Sequence, residues 1–366
     1  MSWAEYLKDN ITTAKELANL LHLSEQEEKS MAAILEKYPM SVTHYYLSLI
    51  NFEDEDDPIR KMCIPAIGEE DESGSLDTSG EKENTVLEGM QHKYPQTAMI
   101  LSTNQCAMYC RHCFRKRLVG MSDEEVASQI HPVIDYIRGH KEINNALLSG
   151  GDAFLNTTSV IEEYLRELTA IEHLHMIRFG TRVPVVFPQR ITEDRELLEV
   201  LKRYGKKKQI YVVTHFNHPR ELTKEALAAI EGLKEAGIVI RNQTVLLKGV
   251  NDNPDILAEL LQKLTKHGIN PYYVFQCRPV AGVKNQFQVP LQKAYRIVQE
   301  AKNRQNGHGK SFRFVFSHPT GKIEIIGVLP DGRMIFQYHQ AKYPENRGKI
   351  LIRDIKEDQT WLEEDL

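Results

Sequence analysis

Hydrophobic and polar positions change rhythm twice along this chain. Between residues 3 and 38 apolar side chains recur at helical spacing, first Leu17, Leu20 and Leu21, then Met31, Ile34 and Leu35. Ser24 with Glu27 three positions later forms a capping-box pattern, so two short helices are expected. Residues 67–85, IGEEDESGSLDTSGEKENT, have no periodicity and are rich in Glu, Asp, Ser and Gly, which predicts an exposed connection. From residue 97 onward, short β-rich runs cover 98–103, 145–152, 176–186, 209–216, 238–247 and 272–277. Amphipathic helical patterns at 124–137, 159–171, 223–237 and 255–268 separate them. Such alternation, with nearly continuous apolar strands, predicts a parallel α/β sheet, either barrel or doubly wound. The polar clusters TNQC, SGGD, TRVP, THFNH and QCRP follow the runs, at the strand ends where barrels carry their chemistry, and so favour a barrel. In the tail, SFRFVFSHPTGKIEIIGVLPDGRMIFQYHQ alternates apolar and polar residues around Asp-Gly and Pro turns, predicting a small strand-rich addition. The expected organisation is a helical extension with its acidic loop over 1–90, a barrel over 91–310 and a C-terminal extension over 311–366.

At 366 residues the chain can bury a sizeable core, as one large catalytic domain with appendages or as two ordinary ones. Its net charge of −5 is spread along the sequence, so no basic face points to nucleic acid. No run of about eighteen apolar residues points to a membrane span. Charges within MSWAEYLKDNITTAKEL argue against a secretory leader, and a cytoplasmic protein is expected. Five cysteines, an odd number with three inside eight positions, suit reduced metal-binding thiols better than a disulfide framework.

Those three are Cys106, Cys110 and Cys113 in CAMYCRHCF, spaced C-x3-C-x2-C. Thiolates in one tight loop select zinc or iron–sulfur. Structural zinc and ferredoxin clusters both take four protein ligands, and no second pair follows with suitable spacing. Three thiolates leave one iron of a [4Fe–4S] cube open, and an open iron can chelate the amino and carboxylate groups of S-adenosylmethionine (SAM), so that electron transfer from the cube cleaves the sulfonium to a hydrogen-abstracting radical. With Tyr109 before the second cysteine and Phe114 after the third, the motif resembles the radical SAM superfamily. The paired glycines of LLSGGDAFL fit this: Ser149, Gly150, Gly151 and Asp152 follow the second run, where backbone must approach a ligand closely, and such a segment lies against SAM in that superfamily. Cys63 and Cys277 are expected to be buried and uninvolved.

Over most of its length the chain resembles the lysine 2,3-aminomutase family. The resemblance is carried by KYPMSVTHYYLSLI, DDPIRKMCIP, HKYPQTAMILSTNQCAMYCRHCFRKR, LLSGGDAFL, TRVPVVFPQRIT, THFNHPRE, NQTVLLKGVND, PYYVFQC and the lysine of HPTGK. It implies migration of an amino group from Cα to Cβ of an amino acid, with pyridoxal phosphate (PLP) as a further cofactor and an external reductant such as flavodoxin or ferredoxin. It also implies a homo-oligomer. By this resemblance Lys322 holds PLP, Arg115 grips the substrate α-carboxylate, Gln243 and His215 belong to the SAM side, and Lys93 and Tyr94 to the PLP side. The chain departs from the family in a short SHPTG before Lys322, Lys93 and Thr97 in place of two arginines, Phe275 in place of a tyrosine, and no cysteine after Cys277.

Two aspartates that hold the distal ammonium in the lysine enzymes correspond here to Arg278 and Ser317. An arginine ~4 Å from an ammonium at an effective dielectric of about 20 repels it by about 4 kcal/mol, roughly a thousandfold in affinity. A distal carboxylate would instead find a bidentate partner. The expected substrate is therefore glutamate or aspartate, with the PLP phosphate as the competing partner for Arg278. Lysine 2,3-aminomutase proper, a PLP-independent radical SAM enzyme of the same lineage, and a non-enzymatic iron–sulfur protein are the alternatives.

Overall fold

In the computed structural model, which describes residues 3–121 and 123–363, the strands form one twelve-stranded sheet in chain order. Strands β1 (Thr85–Leu87) and β2 (Met90–Tyr94) lead antiparallel into β3 (Thr97–Thr103). Parallel to β3 follow β4 (Asn145–Gly150), β5 (Met176–Gly180), β6 (Gln209–Thr214), β7 (Val239–Leu246) and β8 (Asn270–Gln276). β9 (Arg313–His318) adds one more parallel strand beside β8. The sheet ends antiparallel with β10 (Gly321–Val328), β11 (Met334–Ala341) and β12 (Ile350–Arg353). Among the described residues no ladder joins β12 to β1, so the parallel strands form an open, partial barrel.

Alternation explains which side each strand buries. In β7, Ile240, Asn242, Thr244 and Leu246 are buried while Arg241, Gln243 and Val245 are only partly covered. Two buried polar residues are tolerated because Asn242 bonds both backbone groups of Phe216, accepting at 2.7 Å and donating at 3.0 Å. The connecting helices Thr158–Thr169, Arg195–Gly205, Lys224–Glu235 and Pro254–Lys266 pack their apolar stripes on the sheet. Each begins at a side chain that accepts a backbone N–H, Thr157, Asp194, Thr223 and Asn253 respectively. Among the described residues no helix is long and apolar enough to cross a membrane.

Three expectations change. The run 176–186 is strand only to Gly180, and Val183–Val186 coils into a helical turn. Pro184 has no N–H for a ladder, and the buried Asp152 carboxylate pulls the chain off the sheet by accepting from Thr181 Oγ1 at 2.5 Å and Arg182 N at 2.6 Å. The helix expected over 124–137 begins at Ile130 and runs to Gly139, with Pro132 in its first turn, where a missing N–H costs nothing. Third, the segment 67–85 is not simply solvated. Glu69 and Glu81 are only 1% and 3% exposed. Glu69 pairs with Arg111 at 2.5 Å and with Lys116, and Glu81 pairs with Arg115 at 2.8 Å and Arg117 at 2.9 Å. Acidic composition rewards exposure only where no buried base waits for the carboxylate.

The N-terminal helices begin as expected: Ser24 N donates to Glu27 Oε2 at 2.8 Å and Glu27 N to Ser24 Oγ at 3.3 Å. Leu17 and Ile34 enter the core, whereas Leu20 is exposed. The segments on either side of these helices cover the cysteine loop, through Asn10 before and Pro39, Ser41 and Met62 after.

Candidate active site

The loop bearing Cys106, Cys110 and Cys113 follows β3 and is held on its outer side by the N-terminal extension. Asn10 Nδ2 donates to Ala107 O at 2.9 Å, Tyr109 N to Ser41 O at 2.9 Å and Arg111 N to Met62 O at 2.9 Å. The Arg111 guanidinium also reaches Pro39 O at 2.9 Å. Backbone shape is thereby fixed, and none of the three cysteines is tied up in a disulfide. Among the described residues no three His, Cys, Asp or Glu side chains converge on a single-ion site. A cube bound through three of its irons keeps its thiolates farther apart than the ligands of one ion. Burial, with Cys110 alongside, pushes the Cys113 thiol up to about 11. Burial and the Asp152 carboxylate push Cys106 well up too. Three adjacent thiolates therefore need a cationic guest, which the iron of a cluster supplies. Cys63 and Cys277 are buried, as expected.

Facing the loop is the turn after β4. Gly150 has φ +107°, and a Cβ there would lie 2.3 Å from Thr103 O; one on Gly151 would lie 2.3 Å from Gln105 O. The glycines let this turn dock on the start of the cysteine loop, with Gly151 N donating to Thr103 O at 2.6 Å and Asp152 N to Gln105 O at 2.8 Å. Asp152 itself is consumed by Thr181, Arg182 N and Phe154 N, so it braces the strand ends. His215, after β6, donates from Nδ1 to Gln243 O at 3.0 Å. Burial and Arg182 hold its imidazole down at about 4, so it is neutral at physiological pH.

The other half of the site is cationic. Burial, with Arg178 and Arg278 nearby, lowers the Lys322 amine to about 7. Its Nζ lies 3.2 Å from Gln340 Oε1 and 4.8 Å from the Tyr94 ring centroid. Lys93 is likewise lowered to about 7, by burial and by Arg278, and donates to His318 O at 2.7 Å and Ser79 O at 3.2 Å. Burial holds Arg278 down to about 10, and its Nη1 is buried without a hydrogen-bond partner. Ser317 stands opposite Lys322 across the β9–β10 ladder. An amine easily deprotonated near neutral pH, an unpartnered guanidinium donor and a second depressed lysine fit an aldehyde-bearing phosphate and a carboxylate.

Phe114 and Arg115 join the halves. Two guanidiniums lie over the Phe114 ring, that of Arg278 4.1 Å from its centroid and that of Arg115 4.6 Å. Arg115 donates to Ser149 Oγ at 3.1 Å, Gly150 O at 3.3 Å and Glu81 Oε1 at 2.8 Å. Sequence reasoning missed Glu81, Arg178 and Arg182. Arg178, a charge inside the apolar run MIRFG, and Arg182, in the polar cluster ending that run, both carried a legible signal. Glu81 carried none.

Residues 100–261 match the Radical SAM superfamily. The L-lysine 2,3-aminomutase of Clostridium subterminale is 38% identical over 97% of this chain and 82% of its own. That of Bacillus subtilis (strain 168) is 36% identical over 95% and 75%. The glutamate 2,3-aminomutase of Clostridioides difficile (strain 630) is 39% identical over 77% and 67%.

Proposed function

Because the chain belongs to the lysine 2,3-aminomutase family of radical SAM enzymes, we propose that it converts an acidic α-amino acid, glutamate before aspartate, to its β-isomer, with PLP on Lys322. In this family the [4Fe–4S] cluster and SAM supply a hydrogen-abstracting radical, and PLP supplies a π-system that spreads unpaired spin during amino migration. The chain's own residues do the rest. Cys106, Cys110 and Cys113 hold the cluster in a loop braced from behind. Lys322, with its amine lowered to about 7, is partly unprotonated and so nucleophilic near neutral pH. Arg115, aligned by Glu81, presents a guanidinium for the α-carboxylate, and the same burial that lowers Lys322 excludes water from the radical steps.

The observation that carries the substrate reading is Arg278, buried with Nη1 unpartnered. Glu81 and Asp77 are the nearby carboxylates acting on it. Both are occupied, Glu81 by Arg115 and Arg117 and Asp77 by the backbone N–H groups of Ser79, Glu81 and Lys82. A distal ammonium would meet cations, and a distal carboxylate would complete Arg278. The relatives include both lysine and glutamate 2,3-aminomutases.

The test is an anaerobic assay with SAM, PLP and dithionite against lysine, glutamate and aspartate, scoring β-amino acid by mass spectrometry. Glutamate turnover with little or none from lysine is expected. Arg278→Met should weaken glutamate use by about 2–5 kcal/mol, the usual effect of removing one partner of a buried charged pair. Turnover of lysine alone would refute the acidic substrate. Loss of PLP affinity in Arg278→Met with an unchanged glutamate KM would assign Arg278 to the phosphate.

A further inference from the structure

The second residue past β5 makes a contact that the family chemistry leaves unassigned. Arg182 spends its backbone N–H on Asp152 Oδ2 at 2.6 Å, which fixes where its side chain starts. Its Nε donates to His215 O at 3.1 Å. Nη2 reaches Glu221 Oε1 at 2.5 Å and Tyr46 Oη at 3.1 Å. Glu221 has no solvent exposure and is pinned in turn by Tyr46 Oη at 2.6 Å, Asn217 N at 2.6 Å and His218 N at 2.9 Å. With two sides of the fork held, the remaining nitrogen has one direction left, and Nη1 lies 2.9 Å from Cys110 Sγ.

A structural ion pair needs only Glu221, yet the fork is aimed so that its spare donor meets a sulfur that ligates the cluster. Resting on the cluster reading of Cys110, we propose that Arg182 is a positioning residue whose hydrogen bond to the Cys110 thiolate makes the cluster easier to reduce. The step concerned is addition of one electron from an external one-electron donor to the oxidised cube, with no bond made or broken. Reduction adds negative charge to the iron–sulfur core and its thiolates, so a donor and a positive charge fixed at one sulfur stabilise the reduced form more than the oxidised one. Tyr46 comes from the N-terminal extension and Glu221 from the segment after β6, so the tuning element is assembled from three distant parts of the chain.

The experiment uses holoprotein reconstituted anaerobically, as wild type, Arg182→Met, Arg182→Lys and Glu221→Gln. Iron and sulfide are assayed, and the midpoint potential is read by EPR-monitored redox titration without SAM or substrate. Arg182→Met, at wild-type iron content, should reduce the equilibrium constant for one-electron reduction roughly tenfold, a shift of about 59 mV to lower potential. Arg182→Lys, which keeps the charge but loses the fork, should shift the same way by less, whereas Glu221→Gln, which removes the buried negative charge that offsets Arg182, should shift the potential upward. Wild-type potentials in the iron-replete variants would overturn the proposal. If Arg182→Met takes up no iron, the other two decide it, and unchanged potentials in both would be equally fatal. Wild-type protein that forms no EPR-active cube would overturn the cluster reading, and this inference with it.

Discussion

Lys322 illustrates how far burial alone can prepare a residue. Desolvation beside Arg178 and Arg278 moves its amine from an ordinary value near 10.5 to about 7. Between those values the unfolded chain binds a proton that the native protein does not, so stability rises with pH across that window. The penalty is fully present below about pH 7 and gone above 10.5. In PLP-free protein, Lys322→Met should therefore melt higher than wild type at pH 6, with the difference shrinking toward pH 10 in differential scanning calorimetry. A constant difference across the range would mean that Lys322 is not held neutral. The sequence could nominate single residues where their spacing pointed to chemistry, as with Cys106, Cys110 and Cys113. Lys322 and Arg115 were reached only through the family resemblance. Arg182 stood in a legible polar cluster, but its role stayed hidden because its partners Tyr46, Cys110 and Glu221 are scattered along the chain, and periodicity says nothing about which distant side chains meet.

The acidic segment 67–85 shows the same limit one level up. Its composition reads as solvent-seeking, and most of it is exposed, yet Glu69 and Glu81 reach inward to the bases flanking the cysteines. Residues 71–75 also pair with the loop after β8, through Ser75 N to Pro279 O at 2.9 Å and Gly282 N to Asp71 O at 2.8 Å. The segment is thus a strap that ties the cysteine loop to the loop carrying Arg278. Glu69→Gln should leave Arg111 and Lys116 without their carboxylate and cost about 3–5 kcal/mol, measured as the shift in urea unfolding of the cluster-free protein. Glu72→Ala, three positions on, breaks only an exposed pair with Lys37 and should leave the unfolding curve in place. Equal effects from both would show that burial is not what distinguishes them.

For the molecule as a whole, period and order in the sequence were enough to predict a parallel sheet with its chemistry at the strand ends. The alternation in the tail announced strands but could not announce that β9 would run parallel to β8, because alternation records faces and carries no information about direction. The cover over the cysteine loop has a further consequence, for how the protein comes to be folded. Its contacts span long stretches of chain: Asn10 to Ala107, Thr43 to Val186 and Tyr46 to Glu221 are 97, 143 and 175 residues apart. Contacts that distant form late and slowly. During that interval the three cysteines stand bare in a partly formed sheet, and their thiols are open to oxidation. Refolding from denaturant in air should thus yield protein with normal secondary structure but fewer titratable thiols and less iron uptake than refolding under argon with a reductant. Once native, the same protein should resist air far longer, since the cover is then closed over a loop whose shape no longer has to be found.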